Sequence, residues 1–200
     1  MGESPQSALD RARAAAGPDG RLALPDMAEW DTMPFEGDLR VRPLDDLAEE
    51  PARHGEDPAT CPGCTRDDST YVWTDDLWRL GPLVGPSGLP VVVILQPRVH
   101  CDLDDQPPEV AASFGPLAVR LDRAIRSVGD IARVHIGRWG DGGAHLHWWF
   151  FGRPVGQLQL RGSFAAIWDD VLPPLPEDVW RDNLRTVAHA LAAEGGTAQV

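Results

Sequence analysis

Lysine is absent from this 200-residue chain, so every side-chain cation other than a protonated histidine is an arginine. Arginine is a planar donor suited to gripping phosphate or carboxylate with two hydrogen bonds. No basic run occurs, and the 31 Asp and Glu residues outnumber the arginines, giving a formal net charge of -13 and a pI near 4.7. That field repels polyanions at long range and argues against a nucleic-acid groove, which clustered cations normally announce. A small anionic ligand stays open wherever a few arginines converge. Also missing are a run of the roughly 18 apolar residues that a membrane span needs and the apolar stretch of a signal peptide in MGESPQSALDRARAAAG, so the sequence reads as cytoplasmic with no membrane partner. With three cysteines, two of them in one CxxC, a disulfide framework is excluded and a metal or redox pair is favoured. Cys101 is left over.

What is present is one ordinary core. At 42% hydrophobic content the chain supports a single domain with added end segments. Residues 1–57 read as a partly irregular N-terminal extension and residues 58–200 as the domain. Within the extension, PQSALDRARAAA has helical composition and stops at Gly17-Pro18. Trp30, Met33 and Phe35 call for a packing partner and suggest a lid or the arm of a homodimer.

From Thr70 the pattern changes. TYVW and DDLWRL read as strand material, and LPVVVILQP is a β-branched strand bounded by proline. Val110, Phe114, Leu117, Leu121 and Ile125 recur at helical spacing, with Gly129 as the stop and Pro116 as an expected kink. IARVHIGRW and AHLHWWFFG follow as antiparallel strands joined by a tight Gly140–Gly143 connection. Two C-terminal helices close the chain, FAAIWDDVL and PEDVWRDNLRTVAHALAAE. The fold class is therefore α+β: an antiparallel sheet, one long helix between its second and third strands, a CxxC loop and C-terminal helices.

In CPGC, Pro62 and Gly63 favour a turn that aims both sulfurs at one point, as tetrahedral zinc requires. A redox reading competes, but the flanks lack the buried strand and following helix of a thioredoxin-like centre. Two further ligands must come from histidines. His100 lies just past the VVVILQP strand, while His145 and His147 sit two apart on an expected strand and so share a face. His54 and His189 read as surface residues and His135 as a satisfied strand residue. Two arrangements stay open: one HLH histidine on the metal and the other in catalysis, or both on the same ion.

The order CPGC, QPRVH100, helix, strand, HLHWWFFGRP resembles the histidine-triad (HIT) superfamily over roughly residues 58–155, in its zinc-bearing branch with galactose-1-phosphate uridylyltransferase and the HIT nucleotide hydrolases. The resemblance implies a structural Zn2+ on Cys61, Cys64, His100 and His145. It makes His147 the nucleophile that attacks the α-phosphorus of a nucleoside phosphate ester, forming a nucleotidyl-histidine that water or a sugar phosphate resolves. The implied partner is a nucleotide or nucleotide sugar. Neutral imidazole suits that task, having a lone pair at neutral pH. Arg153, Arg138 and the N–H groups of Gly140–Gly143 are the expected phosphate donors. One position departs from the pattern: the third motif residue is Trp149, which either stacks on a base or fills the site, leaving a binding protein without turnover as the alternative. Trp148 and Phe150 point the other way, into the core. Trp73, Trp78, Trp139, Trp168 and Trp180 are expected to pack.

Overall fold

A computed structural model describes residues 2–200. The chain divides into two compact units, Met1–Pro51 and Ala52–Val200. In the first, Ser4 caps α1 (Pro5–Ala14) by accepting from the Ser7 N–H, and the remainder is largely irregular. Arg21 and Arg13 brace it by donating to the carbonyls of Val41 and Leu44. Trp30 and Phe35, expected to pack, are 57% and 47% exposed.

The second unit is α+β. It holds a four-residue helix α2 (Pro62–Thr65), then β1 (Trp73–Thr74), β2 (Trp78–Pro82), β3 (Val91–Pro97), α3 (Pro108–Arg126), β4 (Ile131–Gly137), β5 (Trp148–Pro154), α4 (Ala165–Val171), α5 (Glu177–Ala192) and β6 (Thr197–Ala198). The six strands form one sheet in the order β4-β5-β3-β2-β1-β6, with each paired neighbour antiparallel. Counting the short β1 separately, the long helix joins the third and fourth strands.

α3 starts where expected because Pro108 stands at its first position, where the missing N–H costs nothing, and Arg123 and Arg126 lie in the last turn. Its buried stripe of Val110, Leu117, Leu121 and Ile125 packs with Leu184, Val187 and Leu191 of α5 on one sheet face, over Leu80, Val93, Leu95 and Phe150. The helix runs through Pro116; both Pro116 and Ala112, whose carbonyl the ring deprives of a donor, lie on the exposed side, where water can serve it. The opposite sheet face carries a smaller cluster of Leu89, Val92, Phe151 and Leu160, with Trp149, Trp168 and Leu172 at its margin. Alternation along β5 therefore sends Trp148 and Phe150 to the helices and Trp149 and Phe151 to the other face. Among the described residues no helix is long and apolar enough to cross a membrane.

The expected strand AHLHWWFFG forms only from Trp148. His145 and His147 lie in an irregular lead-in because its backbone bonds go elsewhere: Ala144 donates to the His54 carbonyl (3.1 Å), His54 to Gly142 (2.9 Å) and Leu146 to Cys101 (2.8 Å). These remote partners replace the hairpin ladder, so Gly140–Gly143 belongs to a longer open connection. Trp139, expected to pack, is 51% exposed.

Leu121 is fully buried between α3 and the sheet. Leu121→Ala is expected to cost about 2–5 kcal/mol in chemical denaturation, and a loss under about 1 kcal/mol would contradict the packing described.

Candidate metal centre and adjoining histidine

α2 is too short to be stable alone, so its geometry is set by what it is tied to. Cys61 stands at its N-cap and Cys64 within it, while His100 follows β3 and His145 precedes β5. The fold brings these four together, with all four ligand atoms within 4.8 Å of one another. Cys61 Sγ lies 3.4 Å from His145 Nδ1, and Cys64 Sγ lies 3.3 Å from His100 Nδ1 and 3.6 Å from His145 Nδ1. An ion with sulfur at ~2.3 Å and nitrogen at ~2.05 Å in a tetrahedron sets a sulfur–nitrogen edge of roughly 3.5 Å. The donor set therefore fits a closed tetrahedral metal. Both cysteines are free thiols, with no disulfide between them.

His145 is oriented from both ends. Its Nε2 donates to the carbonyl oxygen of Pro97 at 2.8 Å, which leaves Nδ1 with the lone pair a metal takes. Burial is the main cause holding its pKa below the ordinary histidine value, which keeps the ring neutral. Gly63 makes this approach possible: a Cβ there would stand 2.7 Å from His145 Nδ1. Burial, then the neighbouring Cys61, push the Cys64 thiol up to about 11, so cation binding and proton release are coupled at this sulfur. The loop is braced by an ion-pair ladder. Arg79 donates to the Gly63 carbonyl (2.8 Å) and to Asp68 (2.9 Å), and Arg98 grips the same carboxylate through both Nη atoms (3.0 and 2.6 Å).

His147 stands outside this four-residue cluster. Its Nδ1 lies 2.9 Å from the carbonyl oxygen of His145. A carbonyl only accepts, so Nδ1 carries the proton and Nε2 the free lone pair. Gly143 lies beside the ring, where a Cβ would sit 3.4 Å from Cε1.

The remaining expected site residues lie apart. Trp149 stacks on Phe151 (5.8 Å between centroids, 8° between planes) and meets Trp139 edge-on at 6.3 Å. Arg138 pairs with Asp102, which also accepts from Arg53 at 2.5 Å, so its guanidinium ties the β4–β5 connection to the loop after His100. Burial raises the Asp102 carboxyl, and Arg53, the Leu103 N–H and Arg138 outweigh it, holding it below its ordinary value. Arg153 sits at the far end of β5, opposite Arg133, four residues past Trp149 or about 13 Å by strand rise, and so is not brought to His147. Cys101 is buried, its thiol pushed up to about 11 by burial and then Asp105 and Asp102, and contributes its backbone carbonyl to Leu146. Arg53, Asp68, Arg79, Arg98 and Asp102 brace the site through partners that nothing in their local sequence announces. The glycine between the two cysteines was the one available signal for a close approach.

No protein-family model matches the chain, and neither does any curated protein. Among solved structures it is similar to a zinc-bound histidine triad family protein from Mycobacterium smegmatis, at 22% identity over 62% of this chain and 87% of that one, with a TM-score of 0.46. It is also similar to a histidine triad protein from Marinobacter aquaeolei, at 17% identity over 62% and 88% of the two chains, with a TM-score of 0.49. A uridylyltransferase matches at 18% identity and a TM-score of 0.44, over 64% of this chain and 42% of its own.

Gly63→Ala is expected to push His145 off its position and weaken metal binding by about 10–100-fold in a chelator competition; unchanged affinity would show that the close contact is not needed. A second outcome concerns pH. Arg98, opposed by burial and joined by Arg79, holds the Asp68 carboxyl below the ordinary carboxylate range. A depressed folded pKa gives stability that is present above the unfolded pKa and lost as pH falls through the folded one. Denaturation of Asp68→Asn at a series of acid pH values should therefore show a shallower loss of stability than the parent chain, and an identical slope would contradict the ladder's role.

Proposed function

We propose that the chain is a histidine-triad-like protein that processes nucleotides, hydrolysing or transferring the nucleotidyl group of a nucleoside phosphate ester through His147, with a structural zinc on Cys61, Cys64, His100 and His145. The observation that carries this reading is the His147 hydrogen bond to the carbonyl of His145, which presents Nε2 as a free nucleophile beside the metal cluster. The order CPGC, His100, HLHWWFF in one chain supports the family assignment.

In the first step Nε2 donates its lone pair to the α-phosphorus and the bond from phosphorus to the leaving oxygen breaks. That oxygen keeps the electron pair and takes a proton from solvent. Water, or a phosphate oxygen of a sugar phosphate, then attacks the same phosphorus, the phosphorus–nitrogen bond breaks with its electron pair returning to Nε2, the imidazole leaves neutral, and the proton of an attacking water passes to solvent. Cys61, Cys64, His100 and His145 would hold the zinc, whose role there would be to fix the backbone from which His147 projects. The open Gly140–Gly143 connection offers backbone N–H groups to phosphate oxygens.

A second reading has one specific observation in its favour. Trp149 fills the third motif position and is held there by Phe151 and Trp139. A fixed indole in place of an imidazole favours a nucleotide-binding protein without turnover.

The two readings separate in one experiment. With UDP-sugar or a dinucleoside polyphosphate, an acid-labile nucleotidyl adduct on His147 is expected in the parent chain and none in His147→Ala, with zinc content equal in both. Activity retained in His147→Ala would overturn the mechanism, while nucleotide binding without an adduct would establish the binding protein.

A further inference from the structure

His54 forms an isolated bridge with the connection that leads into the HLH segment. Its N–H donates to the Gly142 carbonyl (2.9 Å) and its carbonyl accepts from the Ala144 N–H (3.1 Å), so the two bonds straddle Gly143, the parallel partner of His54. Residues paired in this way stand about 4.8 Å apart and direct their side chains to the same side. Which side that is follows from the neighbours. A Cβ on Gly143 would stand 3.4 Å from Cε1 of the His147 ring and 3.7 Å from its Nδ1. Alternation turns the flanking residues the other way: Arg53 reaches Asp102, Ala144 lines the same cavity as those two, and a Cβ on Gly55 would stand 3.3 Å from Cys61 Sγ. His54 therefore leaves the bridge on the side of His147 and away from the metal cluster. Its side chain is exposed, and no hydrogen bond, ion pair or ring contact among the described residues engages its imidazole.

Gly143 is not required by its backbone, since it is absent from the glycines with positive φ. Its missing side chain keeps open the space between the two imidazoles. Displacement at phosphorus is roughly in line, so a proton donor for the leaving oxygen belongs across the phosphate from the nucleophile. At ordinary attack and hydrogen-bond distances the two nitrogens then stand roughly 7–8 Å apart, with the reacting phosphorus between them. Two imidazoles set across a glycine, near each other without touching, are on that scale. Trp149 offers no substitute, because an indole N–H donates a hydrogen bond without giving up its proton.

We propose that His54 is the proton donor and acceptor of the nucleotidyl transfer, an inference that rests on the reading of His147 as nucleophile. As Nε2 of His147 bonds to the α-phosphorus, the bond to the leaving oxygen breaks, that oxygen keeps the electron pair, and the His54 imidazolium gives it a proton. Neutral His54 then takes a proton from the attacking water while the phosphorus–nitrogen bond breaks and its electron pair returns to Nε2, which restores both rings. Histidine suits both halves because it gives and takes protons near neutral pH. His54 thus stands in for solvent in both proton steps.

The phenyl and p-nitrophenyl esters of UMP test this, since they differ little in shape but p-nitrophenolate leaves without a proton whereas phenolate is helped by one. In His54→Gln, turnover of the phenyl ester is expected to fall by about 10–100-fold and that of the p-nitrophenyl ester by less than about threefold. In His54→Ala, added imidazole should restore part of the phenyl-ester rate and leave the p-nitrophenyl rate unchanged. His147→Ala should abolish both, with zinc content equal in all variants. Equal losses on the two esters, no loss on either, or no rescue by imidazole would overturn the assignment of His54 alone. Turnover surviving in His147→Ala, or no turnover of either ester by the parent chain, would overturn the nucleophile reading and the proton donor with it.

Discussion

His145 is held at both ring nitrogens, and the arrangement of the whole site follows from it. Nε2 donates to the Pro97 carbonyl at the end of β3, and Nδ1 joins the two sulfurs and the His100 nitrogen. One side chain thus connects the central strand, the α2 turn and the lead-in to β5. The backbone carbonyl of this same residue receives the His147 N–H. Any shift of His145 therefore moves His147 and the direction in which its free nitrogen points. Gly63 gives the ring room, and Arg79 and Asp68 fix the turn that carries Gly63.

The all-arginine composition has a structural counterpart around this centre. Two carboxylates, Asp68 and Asp102, each receive two guanidinium groups. The first pair of arginines braces the cysteine loop, and the second joins the loop after His100 to the β4–β5 connection. A guanidinium bridges a carboxylate and a backbone carbonyl in one plane, as Arg79 does, which a lysine ammonium with its single centre does less well. In a chain this acidic, the cations near the centre serve mainly to fasten loops.

Much of this was legible in the residues themselves. The β-branched run and the 3.6-residue period of Val110 to Ile125 report burial directly, and β3 and α3 formed from them. CPGC announced two sulfur donors by spacing, whereas the choice of His100 and His145 over the HLH pair rested on the family resemblance. What was not legible depends on partners remote in sequence. His145 and His147 looked like strand residues by alternation, but backbone bonds to His54 and Cys101 take their segment off the ladder. Arg138 looked like a free phosphate donor because nothing in the local sequence reveals Asp102 as its partner. Trp139 was assigned to packing by residue type, although at the end of edge strand β4 half of it faces solvent. Arg153 showed its proximity in sequence to His147 but not that strand geometry carries it the length of β5 away.

In the proposed centre, two thiolates and two imidazoles close around one zinc ion and thereby set His147 in place. X-ray absorption at the zinc edge on the purified full chain measures this directly. The proposed centre requires one zinc per chain with two sulfur ligands at roughly 2.3 Å and two nitrogen ligands at roughly 2.0–2.1 Å, and no oxygen ligand. A metal-free chain with Cys61 and Cys64 joined in a disulfide, or an ion with a single sulfur and bound water, would contradict it.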